Sequence, residues 1–174
     1  MKQITIQGKH QKTKIEKANK NYENNDNTQR ECMKNINENY LDFNIQKTLI
    51  NRLYLNEIFP YKSEIIKELD KKLASYVSQD IHKNKDSHDS SITRDEIIEK
   101  LVLSKLKCFY CGCDMVFLYN KVRTMNQWTL DRIDNSLNHS NNNVIISCLK
   151  CNLQKRCQNH DAFLFTKRLT ISKI

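Results

Sequence analysis

Apolar positions divide the chain into three stretches. Residues 1–40 hold few aliphatic side chains, and Asn19-Lys20-Asn21-Tyr22-Glu23-Asn24-Asn25-Asp26-Asn27 holds none. That is too little apolar surface to offset the entropy of ordering a chain, so a disordered polar tail is expected there. From Asn44 the spacing becomes helical: Ile45, Leu49, Ile50 and Leu53 recur at three or four residues, and Phe59-Pro60 closes the segment. A second helix is expected over residues 61–78, with Ile65, Ile66, Leu69, Leu73, Tyr76 and Val77 on one face and Lys62, Glu68, Lys71 and Lys72 on the others. The two helices would form a hairpin extension over residues 41–90, an element for packing or docking without ligands of its own. Residues 79–91, which include His82, Lys83 and His88, read as a linker with solvated histidines.

Thr93-Arg94-Asp95-Glu96 has the form of a capping box, and Ile97, Ile98 and Leu101 supply the buried stripe of a short helix ending near Lys105. Strands are then expected over residues 115–119 and 127–133, with Trp128 in the hairpin core. A polar loop over residues 134–142 and a strand starting at Val144-Ile145-Ile146 follow. A last helix opens at Cys148-Leu149-Lys150-Cys151, which makes residues 91–174 an α+β domain behind a helical extension.

Composition narrows the class. With 174 residues, 39% of them apolar, and a mean hydropathy of −0.72, the chain can build one compact domain plus poorly packed sequence, and two small domains at most. No apolar run approaches the roughly 18 residues of a membrane span, and Met1-Lys2-Gln3-Ile4-Thr5-Ile6 lacks the apolar block of a signal peptide. A soluble intracellular protein, cytoplasmic or nuclear, without a membrane partner is the expectation. The net charge of +9 is uneven: residues 1–103 carry 18 Lys and Arg against 16 Asp and Glu, and residues 104–174 carry 11 against 4. A Lys- and Asn-rich coding bias accounts for a positive total but not for this asymmetry. The basic half favours a polyanion such as DNA or RNA.

That half also holds most of the cysteines. Seven cysteines without a secretory signal, four of them in two C-x-x-C pairs, point to metal rather than to disulfides. Cys108-Phe109-Tyr110-Cys111-Gly112 provides a tight turn between two thiolates, with Gly112 free to adopt the conformation the turn needs. Its partner pair, Cys148 and Cys151, follows after 36 intervening residues, enough for a hairpin and a loop. One structural zinc on Cys108, Cys111, Cys148 and Cys151 is expected, itself about −2 in charge when four thiolates meet a divalent ion. Cys113 is the rival ligand to Cys111. Cys157 lies about 240° round a helix from Cys151 and so points away from the site, while Cys32 falls in the polar tail. Both read as free thiols.

Between and after the pairs stand Trp128-Thr129-Leu130-Asp131-Arg132-Ile133-Asp134-Asn135 and Asn143-Val144-Ile145-Ile146-Ser147-Cys148-Leu149-Lys150-Cys151-Asn152-Leu153-Gln154-Lys155. Over about residues 105–160 this order resembles the HNH endonucleases, and most nearly their four-cysteine branch, which includes recombination endonuclease VII. The resemblance implies a zinc-stabilised, treble-clef-like ββα-metal fold. It also implies hydrolysis of DNA phosphodiesters with magnesium or manganese held by Asp131 and Asn152. A carboxylate and an amide oxygen are hard ligands suited to such an ion. Asn143 would brace the loop between the strands. The implied substrate is DNA, in branched or nicked form among others, with RNA and a homodimer left open.

One position departs from the family. Where its cleaving members carry a His after the metal-binding Asp, this chain has Arg132. With a pKa above about 12, arginine does not act as a general base, although it can bind phosphate or stabilise a transition state. Asp134 and His139 are the candidate bases. Asp134 shares a strand face with Arg132, opposite Asp131, and His139 has the better intrinsic pKa, near 6.5. Lys150, Lys155, Arg156, Lys167 and Arg168 are the candidate phosphate contacts. Two rivals stand beside the nuclease reading: the same zinc fold as a nucleic-acid-binding module without catalysis, and a structural zinc protein that displays its helices to a partner.

Overall fold

The structure, a computed structural model, describes residue 30 and residues 36–85 and 89–169. Most of the expected polar tail, Cys32 and His88 lie outside the described residues. A 3-10 turn (Glu38–Leu41) leads into helix α1 (Phe43–Tyr54). Asp42 caps that helix, its Oδ1 accepting from the amides of Asn44 and Ile45, which the helix start would otherwise leave unpaired. Leu49, Ile50 and Leu53 are buried along the expected stripe, but Ile45, expected with them, is exposed and Gln46 takes the buried position beside it. Helix α2 (Lys62–His82) sends Ile65 and Leu69 into the core. It runs four residues beyond its expected end, since no Gly or Pro interrupts residues 79–82. The first part of the expected linker is therefore its last turn.

Helix α3 (Arg94–Ser104) starts at the capping box with both reciprocal bonds made. Thr93 Oγ1 accepts from the Glu96 amide at 3.3 Å, and Glu96 Oε2 accepts from the Thr93 amide at 2.7 Å. Helix α1 packs most closely on α3, which α2 also meets. The third helix, rather than a direct α1–α2 hairpin, thus joins the first two.

Strands β1 (Trp128–Arg132) and β2 (Val144–Cys148) pair antiparallel, with Trp128 opposite Cys148 and Arg132 opposite Val144. Helix α4 (Leu149–Lys155) follows β2 directly, giving an α+β, ββα-like unit, and α5 (His160–Arg168) ends the described chain. All five residues of β1 are buried. Helices and loops cover the hairpin on both faces, so β1 lacks the polar alternation of a half-solvated strand.

The strand expected over residues 115–119 does not form. The segment bends at Phe117 and Leu118 and meets the hairpin through a parallel bridge, Val116 to Gln127, and through the Trp128 indole, which donates to the Phe117 carbonyl at 3.2 Å. Gln46 occupies the position of a strand partner. Its Oε1 accepts from the amides of Phe117 at 2.6 Å and Leu118 at 3.2 Å, and its Nε2 donates to the Leu118 and Leu41 carbonyls. A side chain from α1 thus satisfies backbone groups that a ladder would otherwise serve. One cluster of buried apolar residues runs from Leu49 and Ile50 through Ile65, Ile97 and Leu101 to Met115, Trp128, Leu130 and Ile146. Among the described residues no helix is long and apolar enough to cross a membrane.

Candidate metal centre and basic cleft

Two turns bring the four thiols together. After α3, Lys105 and Leu106 both take positive φ and redirect the chain into Cys108-Phe109-Tyr110-Cys111. Gly112 follows at φ +69° with its amide on the Cys108 carbonyl at 2.8 Å. Cys148 is both the last residue of β2 and the N-cap of α4, and Cys151 lies in the first turn of that helix.

The Sγ atoms of Cys108, Cys111, Cys148 and Cys151 all lie within 4.8 Å of one another, and Cys111 Sγ is 3.9 Å from Cys148 Sγ. A tetrahedral ion with Zn–S bonds of about 2.3 Å sets its sulfurs about 3.8 Å apart. Two amides support the sulfurs: Cys148 N donates to Cys108 Sγ at 3.3 Å, and Cys151 N to Cys148 Sγ at 3.4 Å. The Cys108 thiol is held far below its ordinary range by hydrogen bonds from Cys148 and Cys151. The same contact with Cys108 pushes the Cys148 thiol up to about 11 and the Cys151 thiol further still. Four thiolates in this space need a cation to share. The four cysteines therefore form a metal-binding cluster whose donor set and geometry fit zinc. Cys113 is exposed and not one of the four, and Cys157 lies past the end of α4, which Arg156 closes at positive φ, so no helix relates it to Cys151; it is exposed and lines the cleft described next.

The cluster ties the Cys108–Cys111 turn to the junction of β2 and α4, and α2 stands across from the hairpin. Between them lies a cleft of about 670 Å³, lined by Asp131, Arg132 and His139 from the hairpin and its loop and by Asn152 and Arg156 from the end that α4 presents. Lys72, Tyr76, Gln79 and Lys83 form its α2 wall, at the spacing of one helix face. Arg123 adds a further cation, so five cationic side chains line the cleft together with one carboxylate, Asp131. Lys72 donates to the Trp128 carbonyl and sits 4.0 Å from the centre of the Trp128 ring. Burial, with Arg30 nearby, brings its ammonium down to about 7.

The expected site residues divide by strand face. Asp131 points toward α4: its Oδ2 accepts from the Tyr110 hydroxyl at 2.6 Å, and its Oδ1 lies 3.4 Å from Lys155 Nζ. Burial raises the Asp131 carboxyl, against Tyr110 and Lys155, which stabilise the anion. Asn152 is held on the same side, donating from Nδ2 to Thr129 Oγ1 and the Leu130 carbonyl at 3.1 Å each. Its Oδ1 accepts from no described residue. Asp131 and Asn152 thus both line the cleft.

Arg132 turns the other way. Its Nη1 donates to Asp80 Oδ1 at 2.9 Å in a pair with both side chains buried. His139, expected in an exposed loop or as a base, is 4% exposed, with Nδ1 2.8 Å from both Asp80 oxygens and its amide 2.7 Å from Asp80 Oδ2. Burial lowers the His139 pKa, against the pull of Asp80 in the other direction. Asp134 is exposed and closes a turn instead, its Oδ1 accepting from the amide and hydroxyl of Ser136. Asn143 braces the loop: its amide group bonds Asp134 N, Asp134 O and Asn138 O at 2.8–2.9 Å.

The candidate phosphate contacts separate as well. Lys150, Arg156 and Arg168 are exposed, and Lys167 is half-buried on Gln154. Lys155 is fully buried, its ammonium on the Arg132 carbonyl at 2.7 Å and on Asp131, so it braces β1 instead of facing a ligand.

Sequence reasoning missed Asp80, Lys72, Tyr110 and Gln46. Asp80 had a legible signal, since it continues the Leu69, Leu73, Tyr76 stripe of α2 by one turn. Tyr110 lay inside the first C-x-x-C, read there only as a spacer. Compared with protein-family models, curated proteins and solved structures, the chain matches none of them.

Proposed function

We propose that this chain is a metal-dependent endonuclease that hydrolyses DNA phosphodiester bonds at an HNH-like ββα site. The observation that carries the reading is the convergence of Asp131 and Asn152 on one cleft whose other charged side chains are cationic. In this reading zinc closes the four-cysteine cluster and leaves no open position there for water, so its work is to hold the Cys108–Cys111 turn to the junction of β2 and α4. Magnesium or manganese, when bound, supplies charge neutralisation at the scissile phosphate. Asp131 and Asn152 hold that ion. Tyr110 and Lys155 aim the Asp131 carboxylate, Thr129 aims the Asn152 amide, and Lys83, Arg123 and Arg156 draw the strand in.

A second reading has its own observation. Both oxygens of Asp131 are in use, and Arg132 is committed to Asp80. That favours a nucleic-acid-binding module in which the same cleft holds phosphate without cleaving it. Plasmid and branched DNA incubated with the protein, with and without magnesium or manganese, separate the two. The nuclease reading expects metal-dependent nicking that Asp131→Ala abolishes. Binding with wild type and Asp131→Ala leaving DNA equally intact would remove it in favour of the binding module, and no binding at low salt would remove both.

A further inference from the structure

The nuclease reading lacks a base, because Arg132 stands where one is expected, and α2 supplies the part that completes it. We infer that Asp80 is a positioning residue. It holds His139 in the tautomer whose Nε2 is the base that takes a proton from the attacking water, an assignment that rests on the nuclease reading above.

Asp80 serves three donors at once: Arg132 Nη1, the His139 amide and His139 Nδ1. A carboxylate is acceptor-only, so the ring nitrogen facing it carries the proton and the other nitrogen is left with its lone pair. No described residue bonds to Nε2. No buried side-chain nitrogen or oxygen lacks a partner among the described residues either, so Nε2 keeps some solvent access, and His139 is among the residues that line the cleft. The ring is fixed on a second side by Tyr76, one helical turn before Asp80, with ring centres 4.8 Å apart. The Tyr76 hydroxyl accepts from the Leu130 amide of β1, which ties that wall to the metal-binding strand. The loop itself is anchored by Ile92 N on the His139 carbonyl at 2.8 Å and by Asn138 on the Asp89 carbonyl.

This arrangement gives Arg132 a role at one remove. Its guanidinium holds one oxygen of Asp80 in place, and Asp80 orients the imidazole. In the step, Nε2 accepts one proton from water as the water oxygen bonds to phosphorus. The P–O bond to the leaving sugar oxygen breaks, and that oxygen takes a proton from solvent. His139 then returns its proton to solvent, so one water and one phosphodiester become an alcohol and a phosphate monoester. The helical extension is then part of the catalytic unit and not an appended docking element.

The test uses the full zinc-loaded chain, ¹⁵N NMR of the histidines, and plasmid cleavage with magnesium. In the wild type the neutral His139 is expected to carry its proton on Nδ1. In Asp80→Asn the amide N–H can face Nδ1 and move that proton to Nε2, and kcat is expected to fall about 10²–10⁴-fold with KM unchanged. Asp80→Glu restores part of the loss, and His139→Gln shows a loss of similar size. A wild-type proton on Nε2, or wild-type kcat in Asp80→Asn, overturns the inference while leaving the nuclease reading in place. If Asp80→Asn loses zinc or folds poorly, the wild-type tautomer and His139→Gln still decide, and His139→Gln with undiminished kcat overturns it. A wild type that binds DNA but never cleaves it removes the nuclease reading and this inference with it, and leaves the binding module.

Discussion

At the scale of single residues, chemistry and burial assign different work to side chains of the same type. Cys108, Cys111, Cys148 and Cys151 converge, whereas Cys113 and Cys157 are exposed and not among the four. Cys151→Ser is expected to take bound zinc from one per chain to none. The loss in stability should be a large part of the roughly 10–16 kcal/mol with which such sites bind zinc in isolated peptides. Cys113→Ser and Cys157→Ser should keep one zinc per chain, and metal analysis with thermal unfolding reads all three. Lys72 allows a second prediction. Its folded pKa of about 7 lies below the ordinary 10.5, so between these values the unfolded chain binds the extra proton and the folded chain does not. Stability attributable to Lys72 therefore rises as pH increases from about 7 toward 10 and is lost as pH falls through about 7. In urea titrations across that window, Lys72→Met should flatten the rise, and an unchanged slope would contradict the assignment. The zinc ligands were legible because C-x-x-C is a local signal. Lys72 was read as a solvated face, because only the packing of α2 over β1 places it on the Trp128 ring.

At the scale of elements, the reading held where the determinants are short-range. The capping box of α3, the stripe of α1 and the strands flanking the polar loop depend on residues a few positions apart, and each formed close to its expected bounds. It failed at residues 115–119, whose apolar run fits a strand but whose backbone is served by Gln46 from 71 residues away. Gln46→Ala is expected to leave the Phe117 and Leu118 amides without a buried acceptor and to destabilise the chain by about 2–4 kcal/mol. Chemical denaturation measures that loss. A change below about 0.5 kcal/mol would mean that water or a shifted strand replaces the side chain. The end of α2 failed for a related reason. Residues 79–82 look polar enough to leave a helix, but Asp80 is polar because it faces Arg132 and His139 in the interior.

At the scale of the whole molecule, charge and topology combine in the cleft between α2 and the zinc-held ββα unit. If DNA occupies it, each cation touching a phosphate contributes about 0.9 to the slope of log affinity against log salt. Lys83→Gln, Arg123→Gln and Arg156→Gln are each expected to lower that slope by up to about this amount, while Lys47→Gln, on α1 outside the cleft, leaves it unchanged. Fluorescence anisotropy across a salt series reads the result, and equal slopes in all four variants would move the binding face elsewhere. Sequence by itself determined the metal cluster, the hairpin with its following helix, and the basic half of the chain, since spacing and composition record them directly. Only the tertiary structure decided that Lys155 is a buried brace, that Arg132 pairs with Asp80, and that the base candidate His139 is oriented by a helix nearly sixty residues earlier. Those partners are distant along the chain and adjacent in the fold. No periodicity marks such a pairing, because each partner's polarity makes sense only against the other.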